Sequence, residues 1–227
     1  MAAAGDEKLY LLVACSLLLL AVGCQASPLQ IGFYHDRCPQ AEAIVKGVMM
    51  DAISQNPGNG AAMIRMLFHD CFVEGCDASV LLDPTPFSPT PEKLSAPNNP
   101  SLRGFELIDA IKDALEAACP GVVSCADIIA FSARDASCIL SAGKDVVTPN
   151  DLDRQYYKNV LSHTVLFTSD AALLTSEETA KMVVDNANIP GWWEDRFEKA
   201  MVKMAGIEVK TGDEGQIRKN CRAINYY

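Results

Sequence analysis

The sequence predicts an all-α protein. Apolar residues recur at three- and four-residue spacing in several separate segments, alternation of period two is almost absent, and Pro, Gly and Asn clusters divide the segments. No internal repeat and no block of like charge interrupts this pattern. Residues 41–54 read as the first helix, with Ile44, Val45, Val48 and Met49 on one face and Asn56-Pro57-Gly58 as its stop. The next helix covers residues 61–69 and carries Arg65 and His69. Residues 83–100 hold six prolines among Ser, Thr and Asn, so they read as an ordered loop. Residues 103–118 return to helical spacing through Phe105, Ile108, Ile111 and Leu115, and Pro120-Gly121 ends that helix. Ser124 is placed to cap a further helix running to about Ser137. Residues 177–186 and 193–205 are also expected to be helical. On the latter, Trp193, Phe197, Met201 and Met204 form a stripe that reads as core packing. Long loops, held by disulfides and metal, connect these helices.

Leu9 to Val22 is a mostly apolar run behind Lys8, followed by Cys24-Gln25-Ala26. With its flanks it is too short to span a bilayer, and it reads as a secretory signal peptide cut near Ala26. A membrane anchor is the competing reading. The remaining chain of roughly 200 residues is enough for one or two domains with a real core. A net charge of −10 argues against nucleic acid and anionic membranes as partners. It suits calcium, and it suits plain solubility equally well. Nine cysteines occur; Cys15 and Cys24 leave with the signal. Among Cys38, Cys71, Cys76, Cys119, Cys125, Cys138 and Cys221 most should pair in an oxidising compartment, and the odd count leaves at least one unpaired within the chain. No Asn-x-Ser/Thr acceptor with x other than Pro is present.

The run Ala61 to Leu82 carries the chemistry. On a helix Arg65 and His69 are four apart and share a face. A permanent cation then stands beside an imidazole that can gain or lose a proton near neutral pH, which suits proton transfer while negative charge develops. In the loop that follows, Asp70, Asp77 and Ser79 supply hard oxygen atoms, and Gly75 allows the sharp turn that presents carbonyls. Such ligands select calcium. A zinc site from His69, Cys71 and Cys76 competes, but it lacks a fourth ligand and would consume a Cys pair that a secreted chain normally oxidises. The plain alternative is that these acids only cap helices.

The run Ala61 to Leu82, together with Phe33-Tyr34, Cys38-Pro39, Glu92-Lys93, Pro97-Asn98, Ser101-Leu102-Arg103-Gly104-Phe105-Glu106, Cys119-Pro120, Val123-Ser124-Cys125-Ala126-Asp127 and Ala133-Arg134-Asp135, resembles the secretory plant (class III) peroxidases. A second block, from Thr148-Pro149 and Asp153 through Ser169-Asp170 to Thr211-Gly212, Gly215-Gln216-Ile217-Arg218 and Cys221-Arg222, resembles the end of the same family. The resemblance implies the plant haem peroxidase fold and the cofactors haem b and Ca²⁺. It implies reduction of hydrogen peroxide with oxidation of small phenolic donors, in response to oxidative stress and in cell-wall phenolic metabolism. The expected setting is a monomer secreted to the extracellular space, cell wall or vacuole. By resemblance, His69 is the distal acid–base residue, Arg65 stabilises the charge that develops as the O–O bond breaks, Asn98 hydrogen-bonds the imidazole and Phe68 shapes the pocket. Asp70, Asp77 and Ser79, with the carbonyls of Val73 and Gly75 and with Glu92 through water, match the distal calcium site. Asp145, Thr148, Asp151 and Asp153 match part of the proximal one. The implied bridges are Cys38–Cys119, Cys71–Cys76 and Cys125–Cys221, leaving Cys138 odd.

Between Lys144 and Asp145 the family pattern jumps, with roughly 100 residues of it missing. The missing part would carry the proximal histidine that binds haem iron, so no residue here is assigned that role. The expected organisation is a signal peptide over 1–26, a near-complete distal domain over 27–144 and a remnant of the proximal domain over 145–227. Ser162-His163-Thr164-Val165 imitates the proximal motif, but its flanks belong to a later loop, and His163 reads as a surface residue. Asp170 matches the partner of the lost histidine and is expected to stand alone. Haem uptake and turnover are therefore expected to be poor. A non-catalytic secreted protein that keeps calcium and haem is the alternative, and a metal hydrolase using His69, Asp70 and Glu92 is a more distant one.

Overall fold

The computed structural model describes residues 29–141, 153–165 and 167–226. The signal-peptide reading of residues 1–26, and Asp145, Thr148 and Asp151, lie outside them. Among the described residues the regular structure is helical, and the β pairing consists of a single bridge between Thr85 and Ser88. The helices are α1 (Ala41–Gln55), α2 (Gly58–Cys71), α3 (Phe105–Ala118), α4 (Cys125–Ser141), α5 (Gln155–Leu161), α6 (Thr168–Ala172), α7 (Glu177–Asn188) and α8 (Trp192–Met204). None is long and apolar enough to cross a membrane.

The all-α expectation holds, and the first helices follow the sequence spacing closely. Helix α1 stops where Asn56-Pro57 begins, and α2 starts directly after Pro57. Ser124 caps α4, its Oγ accepting from Asp127 N at 3.0 Å. That helix runs to Ser141, beyond the expected end, because no Gly or Pro follows Ser137 until Gly143. Gly104 precedes α3 at φ +96°, and a Cβ there would lie 2.2 Å from Cε of the buried Met63, so only glycine permits this approach. The proline-rich stretch is a loop with one 3₁₀ turn at Glu92–Leu94.

Helices α1 to α4 enclose the core. Helix α4 packs on α2 and α1, and α3 packs on α1 and α4. Val45, Met49, Met63, Met66, Leu67, Ile108, Ile111, Leu115, Ile128 and Ile129 fill the space between them. Lys112 is buried there as well; its ammonium donates to Val123 O at 2.8 Å and pairs with Glu116 at 2.6 Å, so the charge is satisfied. The three implied bridges are present: Cys38–Cys119 ties the segment before α1 to the end of α3, Cys71–Cys76 closes the turn after α2, and Cys125–Cys221 ties α4 to the C-terminal segment. Cys138 is free and exposed.

Three expectations need correction. Residues 155–161 and 168–172, read as loop, are helical, with α5 packed on α7 and α7 on α8. The stripe on α8 is not core: no residue of that helix is fully buried. Met201 and Met204 rest on the edge of the main core, while the Trp193 ring lies 5.2 Å from Phe197 and edge-on to Tyr157. Asp170 is not alone either. Its Oδ1 accepts from the Tyr156 hydroxyl at 2.9 Å and its Oδ2 from Phe167 N at 3.3 Å, so it caps α6.

Candidate functional site

Helix α2 presents Arg65 and His69 one turn apart, as their spacing requires, and Arg65 Nε donates to His69 Nε2 at 3.1 Å. The other ring nitrogen, Nδ1, lies 2.6 Å from Asn98 Oδ1. The orientation of Asn98 is set by its second bond, from Nδ2 to the Glu92 carbonyl at 2.8 Å, which leaves Oδ1 facing the imidazole. An amide oxygen only accepts, so Nδ1 carries the proton and Nε2 keeps its lone pair. The rest of the Arg65 guanidinium is held by the proline-rich loop, donating to Ser101 O at 2.8 Å, Ser101 Oγ at 2.7 Å and Pro97 O at 3.2 Å. Ser101 and Pro97 are positioning partners that spacing alone did not single out. The Phe68 ring stands edge-on to His69 at 5.6 Å and against Phe72 at 4.7 Å.

The loop after α2 turns at Glu74, Gly75 and Ala78, all at positive φ. Asp70 leaves the helix pointing away from this pair and is fully buried. Its Oδ2 accepts from Ala78 N at 3.0 Å, and its Oδ1 has no partner among the described residues. Burial pushes its carboxyl up to about 7, assisted by the nearby charges of Asp77 and Glu92. Glu92 is shifted upward as well, first by burial; its Oε2 accepts from Ser79 Oγ at 2.8 Å while Oε1 is buried and unpaired. Asp77 Oδ1 accepts from Ser79 N at 2.9 Å, and Asp77 Oδ2 pairs with Lys210. Burial pushes the Asp77 carboxyl up, but the Lys210 and Ser79 hydrogen bonds outweigh it, and the group lies below its ordinary value.

Two buried carboxylate oxygens without partners are costly unless a cation meets them. With the Ser79 hydroxyl nearby, this donor set fits a hard, oxygen-seeking ion such as calcium. Among the described residues no three His, Cys, Asp or Glu side chains converge tightly enough to hold a metal by themselves. Zinc is excluded as a ligand of Cys71 and Cys76, since they form a disulfide. Asp153 Oδ1 accepts from Gln155 N at 2.7 Å and starts α5.

The residues do not fit haem in the same way. Phe68 and Phe72 are 49% and 61% exposed, so the apolar end of α2 faces open solvent. A cavity beside Arg65, lined by Ala61, Ala62, Leu102 and Arg103, measures about 120 Å³. No imidazole stands opposite His69: His35 is exposed beside Asp36, and His163 is exposed in the turn after α5, the helix that packs against α7.

A family model described as Peroxidase matches residues 45–144 and 137–188. Peroxidase 2 of Zea mays is 56% identical over 319 aligned positions, which cover 94% of this chain and 95% of that relative. Peroxidase 5 of Vitis vinifera is 35% identical, covering 92% of this chain and 94% of its own length. Peroxidase 67 of Arabidopsis thaliana is 30% identical, covering 94% and 99%. The 319 aligned positions exceed the 227 residues of the chain, so the Zea mays relative carries positions with no counterpart here.

Proposed function

Because the chain belongs to the secretory plant peroxidase family, we propose that Arg65, His69 and Asn98 form its peroxide-handling site. The activity class is that of a haem peroxidase, an oxidoreductase that uses hydrogen peroxide. The observation that carries the residue assignment is the imidazole held between Asn98 Oδ1 and Arg65 Nε. Nε2 is the base. Peroxide takes the place that the Arg65 N–H occupies at Nε2, gives up a proton there, and receives it back on the departing oxygen. The freed Arg65 guanidinium then faces the developing negative charge. Over a cycle one peroxide takes two protons and two electrons to give two waters, and two phenolic donors each lose one electron and one proton.

Activity in this chain is weak on this reading. No imidazole opposes His69 among the described residues, and the family match divides where residues 137–144 are matched twice. That division supports an internal deletion after Lys144, leaving the distal domain over 27–144 and a proximal remnant over 145–227. The loop of Asp70, Val73, Gly75, Asp77, Ser79 and Glu92 binds calcium; its support is the pair of unpartnered oxygens on Asp70 and Glu92. The proximal calcium site, left with Asp145, Thr148, Asp151 and Asp153, is incomplete. Residues 1–26 direct a monomeric chain out of the cell, to the wall or the vacuole, and the three disulfides suit that route.

The test is oxidation of a phenolic donor by hydrogen peroxide with added haem, run on the parent chain, on His69→Ala and on a full-length relative. A low parental rate that His69→Ala abolishes supports the reading. A parental rate equal to that of the relative contradicts the impairment, and a rate indifferent to His69→Ala contradicts the site.

A further inference from the structure

The C-terminal segment lies across the calcium loop and brings two cations to it. Arg218 is buried and held by three hydrogen bonds: Nη1 donates to Cys221 O at 2.9 Å, and Nη2 donates to Ala78 O at 2.7 Å and Asp77 O at 3.3 Å. It neutralises backbone oxygen atoms and takes no carboxylate. Lys210 differs. Its side chain is 47% exposed, it reaches the loop on a flexible stem, and its ammonium meets Asp77 Oδ2 directly. The backbone just before it is fixed, since Cys76 N donates to Ile207 O at 3.0 Å, and a Cβ on Gly75 would stand 2.7 Å from Glu208 O.

We propose that Lys210 is a built-in competitor of calcium, holding the Asp77 carboxylate until the ion displaces it. The inference rests on the calcium reading above. It follows from where the charges lie. Asp70 Oδ1 and Glu92 Oε1 are buried without partners, while Asp77, the remaining carboxylate of the set, already has a cation. A calcium ion that uses Asp70 and Asp77 directly, with Glu92 through water, must take Asp77 from Lys210. The ammonium can leave because its side chain reaches solvent; Arg218 and the Cys76–Ile207 hydrogen bond keep the strap in place. Lys210 therefore lowers the affinity of the loop for calcium and stabilises the loop when calcium is scarce.

The experiment is calcium titration by calorimetry on the secreted chain, on Lys210→Met and on Lys210→Arg, with melting temperatures in EDTA and in saturating calcium. Lys210→Met should tighten calcium binding by about two- to fivefold, the factor a half-exposed ion pair supplies. It should also melt lower than the parent in EDTA and level with it in saturating calcium. Lys210→Arg should stay close to the parent. Equal affinity in the parent and Lys210→Met, or weaker binding in Lys210→Met, overturns the competitor role and leaves the calcium reading standing. No calcium binding by any of the three chains overturns both. Binding by Lys210→Met alone shows the competition at its strongest.

Discussion

Asn98 Oδ1 meets His69 Nδ1 at 2.6 Å, and this contact makes Nε2 the basic nitrogen of the site. The same amide donates from Nδ2 to the Glu92 carbonyl, so the imidazole and the Glu92 backbone share one residue between them. Asn98→Leu removes the acceptor and leaves the ring free to turn or to change tautomer. A hydrogen bond of this kind is worth about 1 kcal/mol net, so peroxidase turnover should fall roughly fivefold or more. Stopped-flow measurement of the peroxide step reads this directly. An unchanged rate would mean that the amide only holds the loop.

His69→Ala removes the base itself. General acid–base catalysis typically contributes about 10²–10⁴-fold, and any measurable activity should fall by at least that order. Folding should be unaffected, because His69 lies on the open end of α2 and not in the core. Circular dichroism controls for the fold while steady-state rates with a phenolic donor give the effect.

Asp77→Ala should weaken calcium binding strongly, since it removes one of the two carboxylates that the proposed site uses directly. It also frees Lys210 and leaves Ser79 N without its acceptor. Calorimetric titration of both chains decides this: equal heats and affinities would remove Asp77 from the site.

Replacing Cys38 and Cys119 together by Ala should cost about 2–5 kcal/mol of stability. The bridge spans 81 positions of sequence and both cysteines are buried, so the unfolded chain gains a long unclosed loop and the core loses packing. Urea unfolding of parent and variant measures the difference.

Much of this was legible in the sequence because local rules agreed with one another. The 3.6-residue spacing placed Arg65 and His69 on one face, and the Asn-Pro-Gly stop and the Ser124 cap set helix ends. The site residues came from motif resemblance, and the geometry brings Arg65, His69 and Asn98 together as that resemblance implied. What spacing could not show was long-range. Lys112 reads as a surface lysine, and its burial depends on the Val123 carbonyl meeting it. Lys210 and Arg218 reach the loop across more than a hundred residues of chain, with no local pattern to mark them. The α8 stripe misled because amphipathic spacing tells which face is apolar, not whether another layer covers it. Asp170 found Tyr156 through the helices around His163, which their polar sequence had hidden.

On the proposed reading this chain keeps the peroxide-handling side of a plant peroxidase without an imidazole to face it. Titration of the secreted chain with haem, followed at the Soret band, tests it most directly. Binding should be weak and non-saturating and leave the band close to that of free haem, in the parent and in His163→Ala alike. A stable one-to-one Soret species in the parent, lost in His163→Ala, would contradict it and make His163 the missing ligand.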